Sequence, residues 1–272
     1  AEDCNYQCMH STERLRAMQG QPPVQYFGKW PFTRVAGCQE LLSTVFSMGN
    51  ALPHLFFLLF LWPTMPSSGM SGALAIYALG CINTWWWSTA FHCRDNFWTE
   101  RLDYHCASVL LVMTLLVTIV RVLRVRSRLV MAGIAALLLG AFALHVAHMN
   151  LVLFDYGWNM KLSIGVVATN ILLWLGWVAV HVRKRPYVLH MAVLNCALVA
   201  AGMFEVYDFS PVWGHLDAHA TWHGLTIPIG FYWYYIFYTD FKAETQHCGA
   251  DSLYAPAPGS KAKVDPPTAP VP

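Results

Sequence analysis

Charge is what this sequence has least of. Asp, Glu, Lys and Arg make up 12% of its 272 residues, against roughly a quarter in a soluble domain. It has no basic block, with 17 Lys and Arg facing 15 Asp and Glu for a net charge of +2. That argues against nucleic-acid binding, which needs many phosphate contacts. Intrinsic disorder, a collagen-like fibre and a small disulfide scaffold are excluded as descriptions of the whole chain. No internal repeat and no second domain are visible. What is abundant is apolar and aromatic: 56% of residues are hydrophobic, 14% are aromatic, and the mean hydropathy is +0.41. This is the composition of a polytopic membrane protein.

Apolar stretches of the roughly 20 residues needed to cross a bilayer occur seven times, at 39–62, 70–92, 103–124, 128–149, 160–182, 187–206 and 217–239. The first and sixth are the weakest, because Glu40 and Glu205 sit at their edges. Short connections predict antiparallel neighbours in one all-α, seven-transmembrane-helix bundle. Arg121, Arg124, Arg126 and Arg128 follow the third span, and Arg183, Lys184 and Arg185 follow the fifth. The loops after the fourth and sixth carry no Lys or Arg, and Arg94 and Arg101 after the second are balanced by Asp95 and Glu100. The positive-inside rule then places the N-terminus in a lumen and the C-terminus in the cytosol. Trp85, Trp86 and Trp87 could anchor the second span at an interface or line the bundle.

The expected organisation is a luminal cysteine-containing segment at 1–38, the bundle at 39–242, and a disordered Pro-rich cytosolic tail at 243–272. Cys4, Cys8 and Cys38 suit an oxidising lumen. Three is an odd number, so one thiol is free or its partner is missing. Starting at Ala1 without a signal peptide, the chain reads as a processed or truncated form whose upstream residues could supply further cysteines. Cys81, Cys106 and Cys196 fall inside spans and read as small core residues.

Ionisable groups within spans are costly and default to a functional-site hypothesis. Ser88 and His92, four residues apart on one helix face, lie near the luminal end of the second span. Asp103 opens the third span, and LDAHATWHG opens the seventh with Asp217 and the i,i+4 pair His219 and His223. Three helices thus bring Ser88, His92, Asp103, His219 and His223 to one depth. Two imidazoles at i,i+4 and a third from another helix suit a zinc site with an open position for water. Such a metal lowers the pKa of bound water to about 7. Asp103 would then act as the proton acceptor and Ser88 as a hydrogen-bond donor to a developing oxyanion.

Each piece also has an ordinary reading. H-x-x-x-H is common on helices, His92 alone could be an interfacial histidine, Asp103 could be a helix N-terminal charge, and Ser is a common packing residue between membrane helices. Their agreement in depth is what favours a site. His145 and His148 could be ligands or support the ligands, whereas His54, His181 and His190 read as structural. His215 or Asp217 could orient a ligand histidine through its second nitrogen. Glu40, Ser43, Ser47 and Asn50 form a polar stripe that could pack against the site or bind another cation, a structural role being preferred.

S-x-x-x-H, an Asp fifteen residues after that Ser, and a late H-x-x-x-H resemble the CREST superfamily of alkaline ceramidases, adiponectin-receptor-related proteins and PER-one-like proteins. The segments FGKWPF (27–32), WSTAFHCRD (87–95), TERLDYHCAS (99–108), FDYGWN (154–159) and LDAHATWH (216–223) resemble the PER-one-like branch most closely. That branch carries a longer cysteine-bearing luminal segment upstream, and this Pro-rich tail matches no part of it. The resemblance implies a phospholipase A2-type activity on the sn-2 acyl chain of GPI anchors, with GPI-anchored proteins as substrates and membrane lipids as surroundings. By analogy it implies that His92, His219 and His223 hold Zn2+, with Ser88 and Asp103 beside it. It also implies a multi-pass protein of the Golgi membrane, as for animal members, or of the endoplasmic reticulum, as for fungal ones. Two other functions remain open: an alkaline-ceramidase-like amide hydrolase, and a seven-span receptor or adaptor in which zinc is structural.

Overall fold

The structure, a computed structural model, describes residues 2–26 and 28–256. These residues form eight α-helices: α1 (Glu2–Met18), α2 (Leu41–Phe56), α3 (Gly69–Cys93), α4 (Phe97–Val122), α5 (Arg128–Leu151), α6 (Tyr156–His181), α7 (Leu189–Tyr207) and α8 (Ala218–Cys248). Beyond helices, the described residues hold only isolated β-bridges. Every predicted apolar stretch coincides with one of α2 to α8. Five segments are long and apolar enough to cross a membrane: Leu41–Thr64, Phe97–Val122, Arg128–Leu151, Tyr156–His181 and Pro186–Tyr207. The protein is an all-helical, multi-pass membrane protein. Of α2 to α8, the two that fall short are α3 and α8, not the two edged by Glu40 and Glu205. Both are rich in Trp, Tyr, His and small polar residues, which weigh as polar on a hydropathy scale.

Helix starts follow capping chemistry. Asn96 Oδ1 accepts from the amides of Trp98 and Thr99, while Thr99 Oγ1 accepts from the Asn96 amide, so three otherwise unpaired donors are satisfied reciprocally. This cap starts α4 at Phe97, six residues before Asp103. Asp103 therefore does not sit in the first turn, and the reading of it as a helix N-terminal charge fails. Asp155 caps α6 and Asp217 caps α8, the latter accepting from Ala220 N at 2.8 Å.

The chain divides into two compact units. The first comprises Ala1–Pro53, Ile82–Ala107 and Val193–Tyr232. Within it, α2 and α8 approach at glycines. A Cβ on Gly224 would meet Phe46 at 3.3 Å, and one on Gly230 would meet the Pro53 ring at 2.9 Å. The 19–38 segment is tied to the same unit by Tyr26 on Glu13 (2.6 Å), by Trp30 and Gln25 on Asp208 (2.8 and 2.7 Å), and by Thr33 N on the Gly214 carbonyl.

The second unit comprises His54–Cys81, Ser108–Ala192 and Trp233–Pro272. Its core is aromatic, with Phe57 stacked on Tyr234 and Trp174 edge-on to Trp177, Trp233 and Phe237. Buried within it, Arg121 forks onto Asp240 through two 2.6 Å bonds, and the same carboxylate accepts from Tyr187 and Tyr254. Glu244, fully buried, takes Arg124 at 2.6 Å and Arg185 at 2.5 Å. These contacts explain why ordered structure continues past residue 242: α8 runs to Cys248, and Ser252, Leu253 and Tyr254 are buried. The rest of the expected tail, 257–272, lies outside the described residues.

Candidate functional site

The site lies wholly within the first unit. The i,i+4 spacing puts Ser88 and His92 on one face of α3, and His219 and His223 on one face of α8. The three imidazoles converge on their Nε2 atoms: His219 Nε2 is 3.3 Å from His92 Nε2 and 2.9 Å from His223 Nε2. One nitrogen of each lies within 4.8 Å of the others, a grouping that could hold a metal ion. Three ring nitrogens pointed at one small volume cannot all be satisfied by one another, since each pair needs one proton and one lone pair. A cation accepting three lone pairs resolves that conflict.

The far nitrogens of two rings are held by carboxylates. His92 Nδ1 meets Glu40 Oε2 at 2.6 Å, and His219 Nδ1 meets Glu205 Oε2 at 2.8 Å. Each carboxylate fixes the tautomer that leaves Nε2 as a lone-pair donor. His223 differs: its Nδ1 is buried with no hydrogen-bond partner among the described residues, and its ring is wedged edge-on against Trp85. Asn50 of α2 donates to the His223 carbonyl at 2.8 Å, locking α2 against α8 at this level.

Glu40 is buried immediately before α2, and its second oxygen takes Lys29 Nζ at 3.2 Å. Lys29 also pairs with Asp95 at 2.7 Å and lies over the Phe91 ring. The cation beside Glu40 is therefore the chain's own ammonium. Burial opposes ionisation of Glu40, but its interactions with the His92 ring and the Lys29 ammonium outweigh it and hold the carboxyl down at about 2.

Ser88 and Asp103 flank the imidazoles. Ser88, buried, shares a hydrogen bond with Ser47 at 3.1 Å and lies within electrostatic reach of Asp103. Asp103 lies within electrostatic reach of both His92 and His219. All five residues singled out in the sequence, Ser88, His92, Asp103, His219 and His223, thus come together.

The supporting residues differ from expectation. Asp217 serves as the α8 cap, and burial raises its carboxyl above the ordinary range; the orienting role falls to Glu40 and Glu205. His145 and His148 stand in the second unit, His145 bonded to Asn159 at 3.0 Å and His148 packed on Trp158. His54 pairs with Tyr234, and His181 with the Trp177 carbonyl. The signal that could have found Glu40 and Glu205 was their own cost, a single acid at the edge of each apolar stretch.

Residues 1–241 match the model of the Per1-like family. "GPI-specific phospholipase A2-like PGAP3" of Danio rerio is 36% identical over 234 residues, covering 86% of this chain and 74% of the relative. The Homo sapiens protein of the same name is 36% identical over 229 residues, covering 84% and 72%. "Protein PER1 homolog" of Schizosaccharomyces pombe is 34% identical over 238 residues, covering 85% and 72%. No solved structure matches. The chain belongs to the Per1-like family.

Proposed function

We propose that this protein is a GPI-specific phospholipase A2, which hydrolyses the sn-2 acyl ester of the GPI anchor on GPI-anchored proteins and yields lyso-GPI and a fatty acid. The observation that carries the reading is the three-imidazole cluster with Ser88 and Asp103 beside it. Relatives named GPI-specific phospholipase A2-like supply the substrate class. In this reading α2 to α8 all span the membrane, with the N-terminus luminal and the site at the luminal end, where the protein-bearing anchor is found. The residence is the Golgi membrane, with the endoplasmic reticulum as the alternative.

His92, His219 and His223 would hold Zn2+, an ion that three imidazoles suit and that leaves a position open. When bound, zinc supplies a Lewis acid and acidifies a water molecule. The remaining work belongs to the chain. Asp103 accepts the proton of the water that attacks the ester carbonyl, and later returns it to the departing glycerol oxygen. Ser88 has one proton to give. While Asp103 is ionised, that proton is drawn to its carboxylate; once Asp103 is protonated, Ser88 is released to donate to the oxyanion. Ser47, at 3.1 Å from the Ser88 oxygen, holds it on this face of α3. The acyl–oxygen bond breaks, leaving a free acid and an alcohol.

Purified protein loaded with zinc and incubated separately with GPI lipid and with ceramide tests the substrate. Fatty acid released from GPI lipid alone supports the reading. Release from ceramide alone makes the protein an amide hydrolase, and zinc binding without release from either makes the site structural.

A further inference from the structure

We propose that Cys38 and Cys93 form a disulfide that straps the Glu40 segment to the end of α3 carrying His92, closed by exchange with an oxidising protein disulfide. Cys38 is placed by a tight turn. Val35 and Cys38 exchange both backbone hydrogen bonds, at 3.1 and 2.9 Å, around Ala36 and Gly37. Those two residues have φ of 50° and 83°, the left-handed pair that a two-residue hairpin turn of this kind requires. The next residues run along the C-terminus of α3. Gln39 N donates to the Cys93 carbonyl and Glu40 N to the His92 carbonyl, both at 3.0 Å, and the Gln39 side chain accepts from Asp95 N at 2.9 Å. Helix-end carbonyls need such partners, and this register sets Cys38 beside Cys93.

The two thiols lie within electrostatic reach of one another. Cys38 is buried and touches Thr44 Oγ1 at 3.3 Å, while Cys93 is half-exposed. That asymmetry orders the chemistry. The Cys93 thiolate attacks the oxidant's disulfide, and one sulfur of the oxidant leaves as a thiolate. Cys38 then displaces the second, giving the Cys38–Cys93 bond and the oxidant as a dithiol. Two protons and two electrons leave the cysteines, and the oxidant's disulfide takes up both electrons. Cys38 thereby finds its partner at the end of α3, outside the group with Cys4 and Cys8 that the sequence suggested. The strap closes next to Glu40, two residues on, and so holds its carboxylate against His92 Nδ1. The inference rests on the luminal N-terminus of the proposed function, because the pair needs an oxidising compartment.

The test uses the full chain in secretory membranes, with a glycosylation acceptor added ahead of residue 1. Free thiols are blocked with N-ethylmaleimide during lysis, and peptides are mapped without reduction. The expected result is a Cys38–Cys93 peptide pair, lighter by two hydrogens than its parts and separated by reductant. In Cys93→Ser, Cys38 should become alkylated. Both cysteines alkylated on glycosylated protein overturns the disulfide and leaves the orientation standing. Both alkylated on unglycosylated protein overturns disulfide and orientation together. Cys38 joined to Cys4 or Cys8 also overturns the pairing.

Discussion

Removing the carboxylates behind the imidazoles separates a designed metal cradle from a chance cluster of histidines. Glu40 and Glu205 play the same role on different rings, at 2.6 and 2.8 Å from Nδ1, but in different surroundings. The Glu40 side chain is 9% exposed and that of Glu205 is 29% exposed. Loss of such a partner usually weakens metal affinity by roughly 10–100-fold, which is about 1.4–2.7 kcal/mol. In Glu205→Ala, water can reach Nδ1 and replace the lost acceptor, so the loss should be about 10-fold. In Glu40→Ala the His92 ring is shielded from bulk water, and Lys29 also loses a partner. The loss should approach 100-fold, since an unpaired buried polar group carries its full desolvation cost. Competition of purified variants with a chromophoric zinc chelator measures both, with thermal melts showing that each is folded. Folded Glu40→Ala that binds zinc as tightly as the parent would refute the reasoning. A larger loss in Glu205→Ala than in Glu40→Ala would refute the part that rests on burial.

Asp103→Ala should keep its zinc yet turn over roughly 10²–10⁴-fold more slowly, and Ser88→Ala roughly 10²–10³-fold more slowly. Normal turnover in either, with metal content measured on the same sample, removes that residue from the mechanism. Arg121→Ala leaves Asp240 as a buried unpaired charge and should cost about 3–5 kcal/mol, much of it regained when Asp240→Leu is combined with Arg121→Met. Unfolding in detergent reads this, and an unchanged single variant would contradict it. Glu40, held at about 2 against an ordinary 4.5, contributes stability that is fully present above about pH 4.5 and is lost as pH falls through about 2. The melting difference between parent and Glu40→Gln should therefore shrink across that window. A difference that stays constant from neutral pH down to 2 would show that Glu40 is not held ionised.

The helices and the core of the site could be read from spacing because both depend on local periodicity. Ser88 with His92 and His219 with His223 declare a shared face through the helical repeat, and the two faces meet at the imidazoles. Glu40 and Glu205 were visible only as costs. Which ring each supports depends on the packing of α2 and α7 beside α3 and α8, which no local pattern encodes. Asp217 misled for the opposite reason: an acid just before a helix is equally a cap, and here it is one. The start of α4 was misplaced because the Asn96–Thr99 box lies upstream of the apolar run. The 243–256 segment looked like tail because it is polar and leads into the Pro-rich end of the chain, while Tyr254 is buried through a long-range contact with Asp240. Cys93 was overlooked because its neighbour, Cys38, is 55 residues away in the chain and is brought close by the turn at Ala36 and Gly37.

The most direct test of the central claim is mass spectrometry of GPI anchors from cells lacking the endogenous activity, re-expressing either this protein or its His219→Ala variant. The account predicts that the parent restores anchors with remodelled, saturated sn-2 chains and that His219→Ala does not. Unremodelled anchors with both proteins present in the membrane would contradict the substrate assignment, and equal restoration by both would contradict the role of the three-histidine site.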